Sequence, residues 1–189
     1  MILILASQSP RRQELLTQAG FIFSVEPANI DETLFAGELA SQHVARLAVT
    51  KAQEIARQHQ APAIILGADT VVVLDGKILG KPKDAQEAMH MLTQLSGRVH
   101  EVMTGWSLVK APGTVIFQEI ASSKIHFRPL TKTEIKNYVA TNEPLDKAGA
   151  YAIQGEARSF IVKTEGLVST VIGLPIEQVS EQLKKWGLP

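Results

Sequence analysis

Four places in this sequence hold reactive or anion-binding side chains where folding alone does not require them. The first is Ser7-Gln8-Ser9-Pro10-Arg11-Arg12. An apolar run ends there, a short polar turn follows, and a helix begins. A helix N-terminus presents unpaired N–H groups and a partial positive charge, so it binds anions. Two arginines in that first turn oppose the helix dipole unless an anion arrives. Arginine also has the side chain best shaped to fork onto phosphate oxygens. The alternative is an ordinary cap with two solvated arginines.

The second place is Gly67-Ala68-Asp69-Thr70, where a carboxylate interrupts the apolar stretch Ile64 to Leu74. Such a group is costly to desolvate unless it meets a cation, a proton or hydrogen-bond donors. A metal ligand or general base would justify it, and so would a carboxylate capping a strand end. The third is a pair of lysines. Lys51 falls on the apolar face of its helix with Val44, Ala48 and Ile55, and Lys81 sits in Gly80-Lys81-Pro82. If both reach the Asp69 carboxylate, they can offset phosphate charge in a transition state. Otherwise Lys51 snorkels to water and Lys81 is a loop lysine. The fourth is the aperiodic, polar segment from Glu143 to Gly155. Within it Gln154 offers a donor and an acceptor, which suits reading a base edge.

Other chemistries are excluded by what is missing. The histidines His43, His59, His90, His100 and His126 have no metal-ligand spacing, and the P-loop, GxGxxG and GxSxG patterns are absent. With no cysteine there is no disulfide, thiolate metal site or cysteine nucleophile. Formal net charge is zero, with 19 Lys+Arg against 19 Asp+Glu, so no surface is built for a nucleic-acid backbone or an anionic membrane. No apolar run reaches the roughly 20 residues of a membrane helix, and Met1 to Ala6 lacks the basic flank of a secretory signal.

The elements that must position these groups alternate between strand and helix, which predicts an α/β fold. The chain of 189 residues fits one domain, or one domain with two lobes. Strands are expected at Ile2 to Ala6 and Phe21 to Val25. Two more, Ala63 to Leu66 and Thr70 to Leu74, are expected on either side of a break at Gly67-Ala68-Asp69. Asp75-Gly76 predicts a hairpin turn. Glu101 to Val109 and Val115 to Phe127 predict a hairpin across Ala111-Pro112-Gly113, and Phe160 to Thr164 a short strand. Helices are expected at Pro10 to Ala19 after Ser9 as N-cap, Ala40 to Gln58, Asp84 to Ser96, Thr131 to Thr141 and Pro175 to Trp186. Ala85, Ala88, Met89, Leu92 and Leu95 share one face of the third of these. Thr131 with Glu134 forms a capping box. Ile176, Val179, Leu183 and Trp186 align on the last helix.

Beyond these physical readings, the chain resembles the Maf family of nucleotide pyrophosphatases over nearly its whole length. The matching pieces are Leu5-Ala6-Ser7-Gln8-Ser9-Pro10-Arg11-Arg12, Lys51-Ala52, Gly67-Ala68-Asp69-Thr70-Val71, Gly80-Lys81-Pro82, Leu95-Ser96-Gly97, the run from Glu143 to Tyr151, and Val171-Ile172-Gly173-Leu174-Pro175. They occur in the family's order and approximate spacing.

The resemblance implies an elongated α/β mixed sheet with flanking helices and two lobes around a cleft, related to inosine-triphosphate pyrophosphatases. It implies hydrolysis of a nucleoside triphosphate to monophosphate and pyrophosphate, with Mg²⁺ or Mn²⁺ as cofactor. It also implies a cytoplasmic location, a homodimer, and roles in removing non-standard nucleotides and restraining cell division. By resemblance the base is Asp69, the catalytic lysines are Lys51 and Lys81, and the phosphate-binding turn is Ser7, Ser9, Arg11 and Arg12. Glu32 would join Asp69 at the metal. Arg12, Thr70 and Gln154 occupy the subgroup-determining positions and together resemble the dTTP/UTP subgroup. The 7-methyl-GTP subgroup would carry Gln after the Asp and Glu at the later position. Two features leave that subgroup as the alternative. His126-Phe127-Arg128 resembles it, and Glu165-Gly166-Leu167-Val168-Ser169-Thr170 lacks the family's usual Ser-Tyr pair. A third reading is a nucleotide-binding division regulator with little turnover.

Overall fold

The computed structural model describes residues 1–188. Seven strands form one mixed sheet, flanked by helices. They are β1 (Ile2–Leu5), β2 (Phe23–Val25), β3 (Ala63–Leu74), β4 (Lys77–Leu79), β5 (Val99–Lys110), β6 (Thr114–Phe127) and β7 (Ile161–Glu165). Their order is β2-β1-β3-β5-β6-β7, with β4 paired to β3. The chain divides into two compact units. The first holds Met1–Asp69, Thr104–Ala121 and the chain from Gly173; the second holds Thr70–Met103 and Ser122–Ile172. No helix among the described residues is long and apolar enough to cross a membrane.

In the first unit β1 runs parallel to β2 and β3, with Leu3 opposite both Phe23 and Ile64. Both faces are covered, which is why these strands read as unbroken apolar runs. Leu3, Leu5, Ile64 and Leu66 pack with Trp106 and Leu108 against Leu16 of α1 (Pro10–Gln18) and against Val179 and Leu183 of the closing helix Ile176–Lys185. Ile4, Ala6, Ala63 and Ile65 face the other way, onto Ala52, Ile55 and Ala56 of α2 (Ala40–Ala56).

Gly67-Ala68-Asp69 does not break the strand. β3 continues through it, with Asp69 inside the ladder. Gly67 is there for packing. A Cβ on it would lie 2.1 Å from the Ala48 carbonyl oxygen, and one on Gly105 would lie 2.4 Å from that of Val44. Helix α2 therefore rests on two glycines, closer to the sheet than any side chain would permit.

In the second unit Asp75 and Gly76 both adopt positive φ, 50° and 75°, and close the β3–β4 hairpin. This is the geometry of a type I′ turn. Asp84 caps α3 (Ala85–Leu95) by accepting from Glu87 N, and Thr131 and Glu134 form the expected capping box on α4 (Lys132–Ala140). Met91, not Met89, joins Ala88, Leu92 and Leu95 in the core; Met89 lies toward solvent. Trp186 is also partly exposed, beyond the end of its helix. The aperiodic stretch forms two 3-10 turns, Glu143–Asp146 and Ala148–Ala150, and a third, Glu156–Phe160, follows it. After β7 (antiparallel to β6), Val168–Ile172 forms α5, so the closing helix is α6.

Candidate active site

The buried end of β1 leads directly into the turn from Ser7 to Arg12. Ser7 is buried, and its Oγ accepts from Ser9 N at 3.2 Å and from Arg12 Nη1 at 3.1 Å. Arg12 Nε donates to Gly173 O at 2.8 Å. Ser9 is the N-cap of α1, yet its side chain makes no capping bond, Pro10 opens the helix, and no acidic residue lies in its first turn. Nothing there neutralises the dipole, so the helix start stays suited to an anion. Burial draws the Arg12 guanidinium below its usual value, while Asp69 and Glu32 push back and Arg11 adds to the lowering. Arg11 itself is half-buried on the same turn.

The second cluster joins α2 to β3. Lys51 and Asp69 are each only 8% exposed, and Lys51 Nζ lies 2.7 Å from Asp69 Oδ1. The same ammonium lies 2.8 Å from Glu32 Oε1. Lys51 therefore does not snorkel to water. The reason is local: Gly67 and Asp69, two residues apart, point to the same face of β3. Helix α2 presses Ala48 and Ala52 onto Gly67, which delivers the neighbouring Lys51 to Asp69.

The exposed segment bearing Glu32 is tied to α2 by charge. The Glu38 carboxylate accepts from Arg46 Nε at 2.6 Å, Arg46 Nη2 at 2.7 Å and Phe35 N at 3.1 Å, and pairs with His43 Nδ1 at 3.0 Å. Arg46 Nη2 also donates to Thr33 O at 3.1 Å, and its guanidinium stacks 3.9 Å above the Phe35 ring. Asp31 Oδ1 accepts from Thr33 N and Oγ1 at 2.9 and 2.6 Å. Both neighbours of Glu32 are thereby fixed.

Glu32 and Asp69 direct oxygens at one cation, the Lys51 ammonium. Two carboxylates that converge on a positive charge also suit a divalent ion, with phosphate oxygens and water completing its shell. Among the described residues no group of three or more His, Asp or Glu forms a ready-made metal cage. Glu32 and Asp69 are the residues that could hold a cation arriving with a phosphate ligand.

Three further residues belong to the second unit. Thr70 follows Asp69 in β3 and is half-buried. Lys81 is exposed in the loop after β4, where Gly149 N donates to Gly80 O at 3.0 Å. Gln154 is exposed in the turn between the second and third 3-10 segments.

Known proteins match this chain from end to end. The family model described as Maf-like protein covers residues 2–186. The chain belongs to the Maf family. Relatives of this Maf chain include a dTTP/UTP pyrophosphatase of Anaeromyxobacter sp. (strain Fw109-5), 48% identical over 99% of this chain and 90% of the relative. Others with the same name are from Geotalea uraniireducens, 45% identical over 98% and 95%, and Myxococcus xanthus, 46% identical over 100% and 94%. Among solved structures, a HAM1 protein from Coxiella burnetii superposes with a TM-score of 0.51 at 16% identity, over 98% of this chain and 100% of that one. That likeness concerns the fold.

Within this Maf chain the structure brings Ser7 to Arg12, and Lys51 to both Asp69 and Glu32. Glu38 and Arg46 were not legible as site supports. Their sequence signal was slight: an acid just before a helix, with His and Arg three residues apart in its first turns.

Proposed function

We propose that this chain is a nucleoside triphosphate pyrophosphatase that cleaves dTTP and UTP between the α- and β-phosphates. The products are the monophosphate and pyrophosphate. The observation that carries the reading is the buried Asp69 carboxylate, held 2.7 Å from Lys51 in the unit that also contains Arg12. Relatives 45–48% identical along nearly their whole length carry the same name.

Arg11 and Arg12 fork onto phosphate oxygens at the α1 N-terminus, with Ser7 and Ser9 shaping that turn. Asp69 orients a water toward the α-phosphorus and takes its proton as the new P–O bond forms. The bond from the α-phosphorus to the bridging oxygen breaks, and the electron pair leaves with pyrophosphate. Lys51 and Lys81 offset the charge that grows on that leaving group. Glu32, with Asp69, would hold a divalent cation, Mg²⁺ or Mn²⁺, which would supply charge to offset that of the phosphates. Thr70 and Gln154 select the base. Cytoplasmic location and a homodimer rest on the family resemblance alone.

The test is a panel of dTTP, UTP, CTP, 7-methyl-GTP and ITP with Mg²⁺ or Mn²⁺, assaying monophosphate and pyrophosphate together. Turnover of dTTP and UTP is expected. Turnover of 7-methyl-GTP in their place would overturn the substrate assignment, and tight binding without turnover would overturn the enzyme assignment.

A further inference from the structure

Gln154 is exposed, but the turn that carries it is tied at both ends to one hydrogen-bonded pair of side chains, buried Tyr138 and half-buried Glu143. Gly155 N donates to Ala152 O at 3.2 Å and closes the turn. Before it, Ala152 N donates to the Tyr138 hydroxyl at 3.3 Å. After it, Glu156 N donates to Glu143 Oε2 at 3.3 Å. The two anchors are joined: the Tyr138 hydroxyl donates to Glu143 Oε1 at 2.8 Å. One phenol and one carboxylate thus hold residues 152 and 156 on either side of Gln154.

Two independent features show that this arrangement is built into the local packing. A Cβ on Gly155 would lie 1.9 Å from Glu143 Oε1, so any other residue there would push the carboxylate aside. Tyr138 is 2% exposed, and its ring meets Phe160 edge-on at 5.3 Å, at the far end of the following 3-10 segment. Burial and the bond to Glu143 push the Tyr138 phenol well above its ordinary range. It therefore keeps its proton, donating to Glu143 while accepting from Ala152.

We propose that Tyr138 and Glu143 are positioning residues that hold Gln154 for recognition of the pyrimidine base. The proposal rests on the functional reading above, in which Gln154 meets the base. An exposed glutamine on a loose turn must lose backbone and side-chain freedom when it binds, which erodes discrimination. Anchoring residues 152 and 156 removes the backbone part of that cost. The carboxamide then meets the base edge from a fixed origin. Thymine and uracil present an acceptor O4 beside an N3–H donor, and cytosine presents a donor amine beside an N3 acceptor, so the two edges are reversed. A reader placed by the turn can report that difference.

The test is the ratio of kcat/KM for dTTP over dCTP in the full-length protein. Tyr138→Phe keeps the ring and removes both hydroxyl bonds. Its ratio should fall about tenfold, the size of one or two lost hydrogen bonds. The change should lie in KM for dTTP, with kcat nearly unchanged. Glu143→Gln keeps one acceptor and should fall less. In a Gln154→Ala background Tyr138→Phe should change the ratio no further, because both act through one side chain. A merely structural role would lower thermal stability or kcat for every substrate and leave the ratio intact; that result would overturn the proposal. Wild-type protein with no preference for dTTP over dCTP would overturn the proposal and the substrate assignment together. Should Tyr138→Phe not fold, amide exchange of the wild type decides. Slow exchange at Ala152 and Glu156 is expected, and fast exchange at both would overturn the proposal.

Discussion

The Lys51 ammonium lies 2.7 Å from the Asp69 carboxylate, and both are nearly removed from solvent. Neither charge would be tolerated there alone, because an isolated buried ion is strongly disfavoured. Each makes the other's burial acceptable. The Arg12 guanidinium feels the same carboxylate, which opposes the lowering that burial imposes on it. Asp69, the proposed base, and Arg12, the proposed phosphate ligand, are thereby coupled by charge.

Replacing Asp69 with Asn preserves size and one acceptor while removing the base. Turnover of dTTP should fall by roughly a hundredfold or more, as loss of a general base typically does. Pyrophosphate release measures this, and a thermal melt establishes that the fold survives. Near-normal turnover in Asp69→Asn would remove Asp69 from the mechanism.

Gly67→Ala should damage stability and catalysis together. The added Cβ would lie 2.1 Å from Ala48 O and 2.9 Å from Ala52 Cβ, so α2 must move outward. Overpacking of this kind costs about 1–3 kcal/mol. Lys51 rides on the same helix, so its contact with Asp69 should loosen and turnover should drop even where the protein is fully folded. Denaturant titration and steady-state turnover on the folded protein separate the two effects. A destabilised variant with undiminished turnover would show that the helix position does not set the Lys51–Asp69 contact.

Acid should unfold the protein in two separable windows. The His100 imidazole is pulled from 6.5 to about 4, chiefly by burial and then by the charge of His126. The folded form resists a proton that the unfolded chain accepts, so stability falls as pH drops from 6.5 to about 4. That gap corresponds to on the order of 3 kcal/mol. Glu38 behaves at lower pH. Its hydrogen bond to Arg46 leads in drawing the carboxyl from 4.5 to about 2, against the opposing effect of burial. Its contribution is fully present above 4.5 and is lost as pH falls toward 2. Denaturant unfolding across this range should show Glu38→Gln less stable at neutral pH and flatter between 4.5 and 2. Identical profiles in that lower window would dismiss the Glu38–Arg46 tie as a stabilising contact.

Much of this arrangement is legible in the sequence, because local rules and tertiary structure agree there. Asp75-Gly76 needs two positive φ values, and Thr131 with Glu134 satisfies its own helix start; both features appear as expected. The strand break expected at Gly67 is absent because glycine has two meanings. It marks flexible turns, and it also marks close approach of another backbone, which no pattern along one chain can reveal. Met89 and Met91 exchange places for a related reason: helical periodicity defines a stripe, and packing decides its edges. The supports of Glu32 and Gln154 were illegible for a third reason. Arg46 reaches Thr33 and Glu38, and Tyr138 reaches Ala152, through contacts that exist only once the loops are folded back.

Arg12 tests whether the phosphate turn needs shape or only charge. Its Nε is committed to Gly173 O at 2.8 Å and its Nη1 to Ser7 Oγ at 3.1 Å, so the guanidinium is held in one plane before any phosphate arrives. A planar fork oriented in advance loses less freedom on binding than a flexible ammonium does. Arg12→Lys keeps the positive charge and loses both bonds. KM for dTTP should rise about tenfold, the cost of one charge-assisted hydrogen bond, with kcat changing much less. Steady-state kinetics on dTTP and UTP give both parameters. An unchanged KM in Arg12→Lys would show that charge alone holds the phosphates. The ties to Ser7 and Gly173 would then serve the fold of the turn instead.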